Sequence, residues 1–485
     1  MYPKLSYKFN LAVVPLIVIG IAVLGLMPLS DEATVIIPVI LAFGICLWFI
    51  ANLRIRDGEL FVIDIGLFCI AFTALYTVIP LLNFIFGGYS FGPLSDGRLQ
   101  TYSPEPRELG LFFLNHIVYL FSLSAAYLVF RRSNRGLMHR PVSNPGFSLK
   151  IVVLIGFSVL ALYYSALYAL FDIGFRSGYG EESGISEGPL WVEQVNGKLS
   201  EIQSVLMAAL IAILVFHARQ FSILMILSLV LAVNITLAFI ELGSRGELIT
   251  LILLVLLFWH KFHGMRLTRL SLFLLLGFAT FMFLGLFRSF QDFGYLVSAI
   301  AGFSTLASAN NEFQSLLGTG YDIHKMLEQG VEVPPILLLN DLVPLLPPQQ
   351  LLPFPKLSGA DWYLMQIDQY GIDVGFMWSV ISQSLIGFGL FELVLRGGLL
   401  GWFLALIHSW YQQRFNRFMP TVIYIILCLR TLWTFRDTTG AVLWHIWWAI
   451  LPVVFLFYLL GFRKWLSKYF LSKNQPYNSS RVATV

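Results

Sequence analysis

The segment Glu241-Leu242-Gly243-Ser244-Arg245-Gly246-Glu247 sets two carboxylates and an arginine between two long apolar runs. A charge at bilayer depth costs roughly 2.5–3.5 kcal/mol on insertion scales, so such a cluster is retained for a reason. Two reasons are open. Arg245 pairs with Glu241 or Glu247 and steadies two helix ends, or its guanidinium, a planar fork of donors that keeps its proton, grips an anion such as a phosphate. Arg176, Arg288 and Arg436 also border apolar runs, away from the main basic clusters. Groups able to accept a proton occur in the same parts of the chain: Asp322, His324, Asp361, Asp368, Asp373, Asp437 and His445. For each carboxylate a solvated position is the plain alternative. For His445, within Trp444-His445-Ile446-Trp447-Trp448, it is an aromatic belt at a membrane interface.

These residues have to be positioned by elements dissolved in lipid. The 485-residue chain is 58% hydrophobic, 15% aromatic and only 12% charged, a composition that excludes an ordinary soluble core. Backbone inside a bilayer must bond within its own segment, and about 20 apolar residues cross it, so the runs read as helices. The expected fold is an all-α polytopic membrane protein of about twelve spans. They lie near 11–29, 34–52, 60–86, 109–130, 151–173, 201–215, 221–239, 248–259, 272–287, 380–410, 421–435 and 441–462. The eighth is long enough only if it runs from Glu247 to Lys261, which puts Gly246 near a membrane surface.

Basic residues near span ends stay on the cytoplasmic side. Lys4, Lys8, Arg54, Arg56, Arg131, Arg132, Arg135, Arg140, Lys150, Arg219, Lys261, Arg266, Arg269, Arg414 and Arg417 then fall inside, and both termini are cytoplasmic. Arg176, Arg245, Arg288 and Arg436 fall on the other face, against that bias, which strengthens the reading that they bind something. The first apolar run follows Lys4 and Lys8 without a small-residue cleavage site, so it reads as a retained helix. Cys46, Cys69 and Cys428 all lie in spans, with neither disulfide nor metal-ligand spacing, and the net charge of +4 is accounted for by the inner loops, without a nucleic-acid role.

Three parts follow: spans one to nine (1–287), a large external segment (288–377), and the last three spans with a cytoplasmic tail (378–485). The external segment is acidic. Asn310 to Glu328 is patterned as an amphipathic helix with Phe313, Leu316 and Leu317 on one face. Val343-Pro344-Leu345-Leu346-Pro347-Pro348, continuing to Pro353-Phe354-Pro355-Lys356, predicts extended or turn structure. The runs Ile336 to Leu339 and Trp362 to Met365 are apolar enough to lie against a membrane surface. Glu392 and Arg396, four residues apart in a span, share a helix face and predict an internal salt bridge.

Gly243-Ser244-Arg245-Gly246 opening a span, Phe287-Arg288 leading into one large outer loop, the prolines ending at Pro355-Lys356, and Glu392 followed by Gly398 and Gly401 resemble the lipid-linked oligosaccharide repeat-unit polymerases, the Wzy family. Arg436 resembles a further outer arginine of that family, and the resemblance runs from about Arg176 to His445. It implies a multi-pass bacterial inner-membrane enzyme that joins undecaprenyl-pyrophosphate-linked repeat units into O-antigen or exopolysaccharide on the outer face. A flippase and a chain-length regulator would be its pathway partners. Breaking the sugar–phosphate bond supplies the energy, so neither cofactor nor metal is expected. On this reading Arg176, Arg245, Arg288 and Arg436 hold pyrophosphate and glycan, a base among Asp322, His324, Asp437 and His445 takes the acceptor hydroxyl's proton, and Glu241, Glu247 and Glu392 are supports. An O-antigen ligase and a lipid-linked oligosaccharide flippase are the alternatives. The single long outer loop and the absence of two-half repeat symmetry stand against the flippase.

Overall fold

The computed structural model describes residues 30–57, 63–87, 105–132, 190–228, 245–265, 268–270, 312–345, 359–368, 378–436 and 440–455, with positions 17, 20, 21, 142, 230, 272, 273, 276, 357 and 458. Among them every regular element is helical. Four helices are long and apolar enough to cross a membrane: α1 (Asp31–Asp57), α2 (Ile65–Gly87), α3 (Pro106–Phe130) and α9 (Leu390–Gln412). Shorter apolar stretches belong to α4 (Leu190–Phe216), α5 (Arg245–His263), α10 (Phe418–Arg430) and the stretch Val442–Phe455. The expected spans near 11–29, 151–173, 221–239 and 272–287 lie wholly or largely outside the described residues.

Local chemistry sets the helix ends. The carbonyl of Ser30 accepts from both the backbone N–H and the hydroxyl of Thr34, opening α1, and Arg54 and Arg56 close it against the negative end of the helix dipole. Asp64 caps α2 by accepting from the N–H groups of Gly66 and Leu67 at 3.0 and 3.1 Å. Pro106 begins α3, where a missing N–H is harmless, and extended Arg131 ends it.

The central pair is α3 with α9. A side chain at Gly397 would begin 2.9 Å from Tyr119 O, and one at Gly401 would press into Leu123 O and lie 2.9 Å from Tyr127 N. Small residues four apart thus let two backbones touch, the arrangement that packs helices in lipid, where no hydrophobic force drives them together. Ser122 Oγ fastens the same seam by donating to Val394 O at 2.7 Å. Gly398, singled out by its spacing from Glu392, meets only Ser122 Oγ at 3.7 Å; the packing residue is Gly397. The reverse faces are apolar and exposed. Ile36, Ile40, Phe43 and Leu47 form one stripe along α1, and Phe391, Val394, Leu395, Leu399, Trp402 and Leu406 form another along α9.

The bundle has two distinct ends. Arg54, Arg56, Asp57, Asp64 and Arg131, with the end of α9 and the start of α10, make the basic end. The starts of α1, α3 and α9 make the far end. There α6 (Glu312–Glu328), a 3-10 segment (Pro335–Leu345), α7 (Gly359–Asp368) and α8 (Val380–Ile386) are gathered around a small core of Ile323, Leu337, Trp362, Tyr363, Trp378 and Ile386.

Several expected boundaries are corrected. The span expected over 380–410 is two helices, because Gly387-Phe388-Gly389 breaks it. Gly389 takes φ +59°, Ser384 O accepts from both glycine N–H groups, and Glu392 Oε2 accepts from Phe388 N at 2.9 Å, filling the place a side chain on Gly387 would need. The expected span 421–435 stops at Arg430, turns at Thr431 and Leu432, and resumes as a short α11 (Trp433–Arg436) before α12 (Gly440–His445) and a π-turn at Ile446–Ile450. Val343 to Leu345, expected to be extended or a turn, closes the 3-10 segment.

Candidate functional site

The far end is assembled by polar joints between elements remote in sequence. Gln383 on α8 is the first centre. Its Oε1 accepts from Asn340 Nδ2 at 2.9 Å and Trp378 Nε1 at 3.0 Å, its Nε2 donates to Leu337 O at 2.7 Å, and Asn340 Oδ1 accepts from Gly359 N at 3.0 Å. All are buried, so each bond removes a donor or acceptor that would otherwise be stranded. Asp341 is the second centre. It accepts from Arg396 Nη1 and from Gly440 N at 3.3 Å, while Arg396 Nε donates to Glu392 Oε1 at 2.6 Å. Glu392 therefore closes the turn before α9 and holds Arg396, and Arg396 holds the 3-10 segment. Asp322 accepts from Tyr363 Oη at 2.8 Å and is buried, which ties α6 to α7.

A third cluster faces outward where α6 meets the start of α3. Tyr321 Oη donates to Glu108 Oε2 at 2.6 Å, and Lys325 Nζ lies 2.8 Å from Glu108 and 3.1 Å from Glu328. His324 Nε2 sits 3.3 Å from Glu328 Oε1 with a third of its side chain exposed. Phe112 packs between the Tyr321 and His324 rings, at 5.6 and 6.0 Å. The hydrogen bond to Glu108 pulls the Lys325 ammonium above its usual range, and burial together with the same carboxylate pushes the Tyr321 phenol up. Of these groups His324 is the imidazole, and Glu328 stands beside it to orient it, the pairing that general acid–base chemistry uses.

The proposed arginines stand in two settings. His263 Nε2 lies 2.7 Å from Val215 O at the basic end, so α5 ends there and Arg245, its first residue, stands at the opposite end of that helix. Arg436 ends α11 one residue after Phe435, whose ring packs 5.3 Å from His116 and 5.5 Å from Tyr76. His116 is ten residues along α3 from Pro106, about 15 Å at 1.5 Å per residue. Arg436 thus ends a short helix inside the bundle, just beyond the break at Thr431 and Leu432. Arg430, on the other side of the break, donates to Ser204 Oγ at 2.7 Å. His445 is buried at the end of α12. Arg176, Glu241, Arg288 and Asp437 lie outside the described residues, as do the side chains of Arg245, Glu247 and Arg436.

Sequence reading missed the opposite cluster, at the basic end. Arg131 lies 2.5 Å from Asp57 and 2.9 Å from Asp64, Tyr127 Oη donates to Asp64 at 2.7 Å, and His408 Nε2 lies 3.7 Å from Asp64 Oδ2. Tyr424 reaches the same place, where its hydroxyl oxygen accepts from Ile65 N at 2.9 Å. Nothing in local spacing links residues 57, 64, 131 and 408; Asp64 alone carried a signal, as a carboxylate opening an apolar run. Among the described residues no three His, Cys, Asp or Glu side chains stand together as a metal site. Compared with protein-family models, curated proteins and solved structures, the chain matches none.

Proposed function

We propose that this chain is a membrane glycosyltransferase that joins polyprenyl-pyrophosphate-linked oligosaccharide units at the far end of the bundle, which we read as the outer face of a cytoplasmic membrane. The observation that carries the reading is the helix broken at Thr431 and Leu432, between α10 and α11. Irregular backbone at membrane depth is tolerated where it is buried in protein or lines a polar cavity, and an arginine there is a functional group by default. Arg430 ends the helix before the turn and Arg436 ends the short helix after it, beneath the far-end domain joined to α12 through Asp341 and Gly440.

The chemistry asked of these parts is limited. Guanidinium groups at the break, with Arg245 at the start of α5, neutralise the pyrophosphate as the sugar–phosphate bond breaks, the charge stabilisation that preorganised donors supply. His324, oriented by Glu328, is the best-placed base for the acceptor hydroxyl. Asp322 is given a structural role by its burial and its bond to Tyr363. Glu392 supports α9 and Arg396.

The test is deletion of the gene in its host, with analysis of the surface glycan. Loss of long chains, with single units left on the carrier or its final acceptor, is the expected result. Long chains accumulating on carrier lipid would instead identify a ligase, and single units trapped on the inner leaflet a flippase. Restoring the gene with Arg436→Lys, which keeps the charge and loses the fork, is expected to shorten the polymer at equal protein level.

A further inference from the structure

The 3-10 segment Pro335–Leu345 turns Leu337 and its polar side chains inward and Ile336, Leu338, Leu339 and Leu342 outward. Leu337 is fully buried, and Asn340 and Asp341 are engaged by Gln383 and Arg396, while Ile336, Leu338, Leu339 and Leu342 are 38, 43, 56 and 49% exposed. An outward row of four large apolar side chains, on a segment expected to be external, needs a solvent other than water.

Its position along the bundle says which one. Asp341 is fixed to the guanidinium of Arg396, which reaches back to Glu392 and so stands within about the first two turns of α9. Over those turns α9 exposes Leu390, Phe391, Val394 and Leu395, and the turn before it exposes Phe388. The leucine row, anchored at Asp341, is therefore attached at the level of the exposed apolar start of a helix long enough to cross a bilayer, not beyond its end.

The backbone is suited to the same surroundings, where an unbonded N–H or C=O is expensive. Pro334, Pro335 and Pro344 have no N–H to satisfy, Leu337 N donates to Pro334 O at 3.0 Å, and Leu337 O accepts from Gln383 Nε2 at 2.7 Å.

We infer that the 3-10 segment is a re-entrant membrane anchor, its Ile336, Leu338, Leu339 and Leu342 side chains immersed in the acyl chains of the far-end leaflet. The far-end domain is then held from two sides, by the polar joints to α8 and α9 and by the lipid itself. This does not depend on the chemistry proposed above.

A collision experiment tests it on the full chain in proteoliposomes of phosphatidylethanolamine and phosphatidylglycerol. Leu339→Cys and, separately, Leu338→Cys carry a nitroxide label, with Leu399→Cys as a lipid-facing reference, Glu328→Cys as a water-facing one, and the identically treated wild-type chain as background for Cys46, Cys69 and Cys428. Oxygen concentrates in the bilayer and a neutral nickel chelate in water. The expected oxygen-to-nickel collision ratio at Leu338 and Leu339 matches Leu399 and exceeds Glu328 several-fold. A ratio like that of Glu328 overturns the inference, and so does a label shielded from both reagents, which would mean that protein covers the row.

Discussion

Arg131→Met removes the guanidinium that lies between Asp57 and Asp64 at the basic end. The guanidinium and both carboxylates are at most 1% exposed, and Arg131 donates three hydrogen bonds to them, through Nε to Asp64 at 3.0 Å and through Nη1 and Nη2 to Asp57 at 3.1 and 2.5 Å. Removing one partner of such a buried pair leaves uncompensated charge, a loss of about 3–5 kcal/mol. That is a fall of about two to three and a half orders of magnitude in the folding equilibrium, since each 1.4 kcal/mol is a factor of about ten. The decisive comparison is the triple variant Arg131→Met with Asp57→Asn and Asp64→Asn. It removes the stranded charges, while the amide introduced at position 64 keeps an oxygen to cap Gly66 and Leu67 and to accept from Tyr127. Stability read from detergent-titrated unfolding in mixed micelles is expected to fall sharply in the single variant and to recover most of the loss in the triple one. A triple variant no more stable than the single would refute the argument, showing that the loss comes from packing of the arginine stem and not from charge.

Two further outcomes follow from the same geometry. Gly401→Val places a side chain against Leu123 O and is expected to destabilise the α3–α9 seam by at least about 1–3 kcal/mol, whereas Gly398→Ala, facing only Ser122 Oγ at 3.7 Å, leaves it intact; unfolding midpoints of the two variants in detergent check this. Docking of α6 on the start of α3 is expected to hold through neutral pH and to loosen as the pH is raised into strong alkali. Lys325 and Tyr321 both have raised values in the folded protein, so the stability each contributes is present below its ordinary range and lost as the pH climbs through the raised one. Mobility of a spin label at Gln329→Cys, followed from neutral pH upward, reports it, and release at neutral pH would contradict the sign.

The membrane-spanning character was written in the sequence, because lipid selects for apolar runs and for self-bonded backbone irrespective of which helix packs on which. Asp31 to Asp57 and Pro106 to Phe130 stand close to where composition put them, since their ends are set by Ser30, the basic pair Arg54 and Arg56, and Pro106, all local. The pair Glu392–Arg396 was legible for the same reason, being one helical turn apart. The break at Gly387-Phe388-Gly389 was present as two glycines but was outweighed by the continuous apolar run; what fixes it is the Glu392 side chain folding back onto Phe388 N. Asp341 on Arg396, Gln383 at the centre of Asn340, Trp378 and Leu337, and Arg131 between Asp57 and Asp64 were not legible at all. Nearly all of these pairings join residues tens of positions apart, and a charge in a one-dimensional chain carries no sign of which distant partner will neutralise it. Only the folded bundle, by burying these groups where an unpaired charge is prohibitively unfavourable, decides the pairing.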